Sequence, residues 1–190
     1  MKITKLVSLL LIAGAASVAS IGVAAQQSAV EKSVMSSKSL SDDDREFMLK
    51  AAGDGLYEIE VSKLAAKKSG RADIKSFAAM LVKDHTAASE ELKTIAVAKP
   101  LRIPADMPDG KKADLNMFLK ADAAEFDKKY LQMVGLEEHR ADIELYEEQV
   151  RRGKDPQVKA FAEKTLRKLR MHLAAAEKLA SNGGPSAAVK

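Results

Sequence analysis

The chain contains no cysteine and no tryptophan among its 190 residues. The missing cysteine excludes disulfides, Cys-ligated zinc, thiolate nucleophiles and a lipid-modified N-terminal Cys. Charge of one sign is also lacking. Basic and acidic residues number 31 and 27 and alternate along every segment, so neither the clustered basic face nor the aromatic interleaving of a nucleic-acid binder is present. The local basic run Lys164, Arg167, Lys168, Arg170 reads as the solvated face of a helix. No Ser-His-Asp pattern, phosphate loop or dinucleotide fingerprint occurs.

One long apolar run is present, and it lies at the start. Met1 to Lys5 is short and basic, Leu6 to Val23 is apolar, and Val23, Ala24 and Ala25 are small, the three parts of a secretory signal. Its Ala, Gly and Ser content argues against a retained membrane anchor, which needs about 20 strongly apolar residues. Residues 1–25 are therefore expected to be a signal peptide cleaved before Gln26, leaving a periplasmic or secreted chain of formal charge +2. No later stretch is apolar enough to span a bilayer, so the mature chain is expected to be soluble. Residues 26–41 lack periodicity and read as a flexible tether, and residues 182–190, opening on Asn182-Gly183-Gly184-Pro185, as a loose tail.

Between them, residues 42–181 carry helical periodicity throughout. Ser41 and Asp42 to Asp44 supply a cap and first-turn acids for a helix reaching about Ser69, where Gly70 stops it. A second helix is predicted from about Ala72 to Ala98, with Ile74, Phe77, Leu81, Ala88, Leu92 and Ile95 on one stripe. Pro100, Pro104, Pro108 and Asp109-Gly110 mark a long irregular connection. A third helical stretch runs from near Ala113 to Arg152, with a break near residues 120–123, and Asp155-Pro156 opens the last. The pattern predicts an all-α four-helix bundle of two tight hairpins joined by one long crossover, the ferritin-like connectivity. The hairpins are also similar to each other: Ile74-Lys-Ser-Phe-Ala78 matches Val158-Lys-Ala-Phe-Ala162, and His85 to Leu92 matches His172 to Leu179.

The only three histidines fall on apolar stripes of three different helices: His85 between Leu81 and Ala88, His139 between Leu136 and Ile143, His172 between Leu169 and Ala176. The first helix contributes Glu58, flanked at one-turn spacing by Ala51, Gly55, Ser62 and Ala65, small residues that permit close helix approach. At about 1.5 Å per residue, all four lie about 17 to 24 Å from their hairpin turns, near mid-height of a bundle about 37 Å long. Convergence of one carboxylate and three imidazoles would suit a transition-metal ion such as zinc, copper or iron, with Asp84 and Asp142 as outer partners. A metal-free buried polar network is the other reading of the same residues. Met48, Met80, Met133 and Met171 are read as core filler rather than copper ligands. The residues three before each His are Val82, Leu136 and Leu169, so the bridging Glu residues of a paired-metal redox centre are missing.

The segments Phe77-Ala78-Ala79-Met80-Leu81-Val82-Lys83-Asp84-His85, Phe126-Asp127 with Tyr130 and His139, and Asp155-Pro156 leading to Phe161-Ala162 and His172-Leu173, together with Glu58, resemble the DUF4142 family over residues 42–180. That resemblance implies a ferritin-like fold and export from a bacterial cell. It implies no activity, and the outer-membrane label often given to the family fits poorly with a helical bundle. The family tends to place a Pro ahead of the last helix's His, where this chain has Arg167 to Arg170. Two functions remain open: a metal- or small-ligand-binding bundle acting in envelope stress or metal handling, and a metal-free structural or interaction module with an envelope partner or a second copy of itself. A redox enzyme ranks last.

Overall fold

The computed structural model describes residues 40–182, apart from the side chains of Ala123 and Ala124. The expected signal peptide and nearly all of the expected tether and tail lie outside the described residues. Helix α1 spans Asp42–Lys68, α2 Ala72–Ala98 and α3 Asp109–Lys120. Helix α4 is continuous from residue 123 to 152 but changes gauge twice: Ala123–Lys129 is α-helical, Tyr130–Glu138 is π-helical and His139–Arg152 is α-helical again. Helix α5 spans Pro156–Ser181 without interruption, so the missing family Pro leaves a regular helix.

The helix starts follow from their capping residues. The Ser41 hydroxyl accepts from the Asp44 amide, Asp122 accepts from the Glu125 amide, and Asp155 accepts from the amides of Gln157 and Val158 with Pro156 in the first turn. Lys68, at the end of α1, donates to the carbonyls of Phe118, Leu119 and Ala121, the groups left unpaired where α3 ends. The predicted break in the third helical stretch therefore falls at Ala121 and Asp122.

End-to-end contacts fix the directions. Arg71, at the start of α2, donates to the Leu179 carbonyl near the end of α5, and Lys99, just past α2, pairs with Asp155 at the start of α5 at 2.5 Å. The start of α1 meets the end of α4, where Gln149 donates to Asp44 at 2.6 Å. Taking α1 as up, α2 and α4 run down and α5 runs up. The crossover carrying α3 must climb the bundle, which is the predicted ferritin-like topology. It docks on α1 at Gly53, where an added Cβ would stand 2.9 Å from Pro108 Cδ. Gly55, the glycine expected to allow close approach, has nothing within 4 Å of such a Cβ.

Two apolar layers result. The upper includes Val61, Ile74, Phe77, Ala78, Leu81, Phe118, Phe126 and Tyr130; the lower includes Phe47, Met48, Leu92, Tyr146, Val158, Phe161, Ala162 and Leu169. Leu40, assigned to the tether from the sequence, is buried in the lower layer. The repeat of Ile74, Phe77 and Ala78 as Val158, Phe161 and Ala162 now has a spatial meaning: one copy fills the upper layer, the other the lower. Met48 is fully buried and Met80 and Met133 pack against the upper layer, but Met171 is 61% exposed and fills no core.

Candidate metal centre

Polar side chains occupy the level between the two apolar layers. Glu58, His139 and His172 are at most 1% exposed and His85 is 6% exposed. The four residues singled out from the sequence thus share one level, each delivered by a different helix. The three histidines can each turn one ring nitrogen so that all three lie within 4.8 Å of one another, a set that does not include Glu58. Their rings are 5.3 to 5.6 Å apart, centroid to centroid.

Each ring has one nitrogen facing an acceptor. His139 Nδ1 lies 2.8 Å from the Val134 carbonyl and 3.4 Å from Glu58 Oε1. His85 Nδ1 lies 3.1 Å from Glu58 Oε2, and His172 Nε2 lies 3.0 Å from Asp84 Oδ2. At His139 and His172 the hydrogen-bonded acceptor assigns the proton to that nitrogen and leaves a lone pair on the other, whereas at His85 the Glu58 contact is one of proximity. The other nitrogens are His85 Nε2, His139 Nε2 and His172 Nδ1, and all three are buried without a hydrogen-bond partner. Both Glu58 oxygens likewise end without an aligned donor.

Burial keeps the rings neutral. It pushes His85 well below its usual value, reinforced by the two neighbouring imidazoles, and brings His139 down to about 4 against the opposing bond to Val134. His172 is lowered by burial too, less completely because Asp84 favours its protonated form. Glu58 moves the other way: burial, then the charges of Asp142, Glu138 and Asp54, raise it well above the ordinary carboxyl range. Asp142 rises to about 8, again chiefly through burial.

Asp142, expected as an outer partner of the ligand set, makes no hydrogen bond to an imidazole among the described residues. Its carboxyl lies beside that of Glu58, and its charged neighbours are Asp54, Glu138, Lys50 and Lys111. One turn of α-helix after His139 points it back into α1 rather than towards the imidazole. Asp84 does stand behind a histidine, but behind His172 across the α2–α5 contact and not behind the adjacent His85. Lys111, which the sequence reading did not single out, is brought in by α3: its ammonium pairs with Glu138, lies 3.5 Å from Asp54 and sits 4.7 Å over the Tyr57 ring. Only the docking of the crossover puts it there.

The π-helical turns set the level of His139. Widening the helix over Tyr130–Glu138 leaves the Val134 carbonyl to accept from the His139 ring five residues on. Gly135 lets these turns approach α5, since a Cβ there would stand 2.9 Å from Ala176 Cβ, one turn beyond His172. Tyr130 is held at the same face by a 2.9 Å hydrogen bond between its hydroxyl and Ser62.

Fold and site together define a ferritin-like helical bundle with a buried three-histidine layer in place of the carboxylate-bridged pair. The model of the DUF4142 family, described as a domain of unknown function, matches residues 29–179, and the chain belongs to that family. No curated protein and no solved structure matches it. Among the described residues no helix is long and apolar enough to cross a membrane.

Proposed function

We propose that this is an exported metal-binding protein whose bundle holds one divalent transition-metal ion, zinc, copper or iron, through His85 Nε2, His139 Nε2 and His172 Nδ1, for metal handling in the cell envelope. The observation that carries the reading is the convergence of three buried, neutral imidazoles, each with its far nitrogen facing an acceptor and its near lone pair unpartnered. Three neutral imidazoles from three helices, each with a nitrogen that no protein group occupies, are the borderline donor set that such an ion takes.

The residues fit such an ion. Tetrahedral zinc with bonds of about 2.0 to 2.1 Å requires nitrogens about 3.3 Å apart. The three histidines present one ring nitrogen each within 4.8 Å of the others. Glu58 and Asp84 supply the acceptors that hold ligating imidazoles in one tautomer and orientation. Glu58 is accordingly a positioning group behind His85 and His139 rather than a fourth ligand. Burial and the neighbouring charges of Asp142 and Asp54 favour its neutral form in the metal-free protein, and a dication in the adjacent layer would favour the carboxylate.

Protein purified under metal-sparing conditions is expected to take up one ion per chain, with a thermal midpoint that rises with added metal. His139→Ala and His172→Ala should each abolish that uptake. Absence of stoichiometric metal, or affinity unchanged in both variants, would sink the reading. Export is tested separately, by fractionation and by N-terminal sequencing of the mature chain, expected to begin at Gln26.

A further inference from the structure

The three-histidine layer is not sealed. A cavity of about 80 Å³ opens between α2 and α5, lined by His85 and His172 from the layer itself, by Ala87, Ala88, Thr165 and Leu169 along its walls, and by charged residues at its mouth. His139 is fully buried and is not among the residues that line it. A cavity needs at least about 10 to 15 Å³ to hold a water and roughly 150 Å³ to admit a benzene ring, so this one has room for water or one small molecule and none for a ring-sized ligand.

Resting on the metal-binding reading above, we infer that the ion keeps a coordination position open towards the α2–α5 cavity and takes there a small exogenous monoanion, of the size of hydroxide, hydroperoxide or azide. Three observations lead to this. The chain supplies three nitrogens to the layer, and Glu58 stands on the Nδ1 side of His85 and His139, away from the unpartnered Nε2 atoms. Zinc-type ions with three protein ligands complete their coordination with water or substrate. Two of the three ligand residues, His85 and His172, line one cavity, which places an accessible space beside the layer on the α2–α5 side.

The mouth neither traps nor excludes an anion. Lys164 pairs with Glu91 at 2.7 Å and Lys168 with Asp84 at 3.3 Å, so the rim is neutral overall and carries two ammonium groups on exposed, mobile side chains. Within, a dication held by three neutral imidazoles is the dominant charge. A monoanion entering past Lys168 displaces bound water by ligand exchange. No electron moves and no covalent bond to the chain forms.

Cobalt(II)-loaded protein titrated with azide tests this. A saturable change in the visible spectrum, at one azide per cobalt, is expected. Benzoate, too large for the cavity, should leave the spectrum unchanged at the same concentrations. Ala88→Leu, which fills the cavity from α2, should weaken azide binding at least about tenfold with cobalt stoichiometry retained. If cobalt binds stoichiometrically but azide has no effect, the open position is refuted while the metal site stands. A benzoate response equal to that of azide would likewise overturn it, because the ion would then be reached by another route. Failure of cobalt to bind at all removes both readings.

Discussion

Asp44 and Glu58 stand on the same helix, both with 0% of their surface exposed, and their surroundings differ at every point. At the foot of the bundle the Asp44 carboxylate accepts from the Ser41 hydroxyl, from Gln149 Nε2 and from the backbone amides of Lys154 and Asp155. At mid-height Glu58 has no aligned donor and shares its space with Asp142. Burial pushes both carboxyls upward; at Asp44 the hydrogen bonds outweigh it and hold the group below its usual range, whereas at Glu58 neighbouring charge adds to it. One carboxylate is a staple that ties α1 to the turn between α4 and α5. The other is a buried carboxyl that its surroundings push towards the neutral form, and groups perturbed in this way concentrate at functional sites.

The largest effect is expected at the staple. Asp44→Ala leaves the side chain of Gln149 and two backbone amides without an acceptor, and should lower unfolding free energy by about 3 to 5 kcal/mol, measured by denaturant titration, with metal uptake per folded chain unchanged. The staple also carries a pH signature. Its folded pKa lies below the unfolded value of about 3.9, so its contribution is fully present above that value and is lost as pH falls through the folded pKa. The stability gap between wild type and Asp44→Asn should therefore be constant near neutrality and shrink below about pH 4. A gap that widens on acidification would contradict the assignment.

Glu58 should respond with the opposite sign. Glu58→Gln keeps the shape and stays neutral where burial and neighbouring carboxylates disfavour a charge, so the metal-free protein should be as stable as wild type or more so by about 1 kcal/mol. Metal affinity should fall by about 10- to 100-fold, the usual cost of losing the acceptor behind a ligating imidazole. Titration of the ion and melting of the metal-free protein, done on one preparation, separate the two effects. A large loss of stability without metal would make Glu58 a second Asp44 and dissolve the contrast.

How much of this contrast was legible beforehand follows from what helical periodicity encodes. Stripe position and distance from a turn give the face and the height of a residue, which is why Glu58, His85, His139 and His172 could be assigned to one level. Neither quantity gives the rotation of a side chain about its own bonds. Glu58 therefore reads as a fourth ligand beside the imidazoles, whereas its oxygens lie against the Nδ1 atoms of His85 and His139, and Asp142, read as an outer partner, turns towards α1. The staple was half visible: Ser41 and Asp44 read as caps, but Gln149 and the amides after Gly153 join them only because α4 descends beside α1. Lys111 was invisible for a similar reason, since its place depends on where an irregular crossover lands. The π-helical turns carry no sequence signature of their own beyond Gly135.

Gly135 permits the smallest and finest test, because it lies where the upper apolar layer meets the histidines. A methyl added there would stand 2.9 Å from the methyl of Ala176, closer than two such groups can come. Since Ala176 follows His172 by one turn and Gly135 precedes His139 by one, relief of that clash must move the two imidazoles apart by a few tenths of an ångström. Gly135→Ala is expected to cost about 1 kcal/mol in stability, at the low end for overpacking, and to weaken metal binding by about three- to tenfold. Gly135→Ala with Ala176→Gly should restore both, because the second change returns the space the first consumes. Recovery of stability without recovery of affinity would show that the spacing of the ring nitrogens is set elsewhere in α4, most directly by the bond from His139 to the Val134 carbonyl.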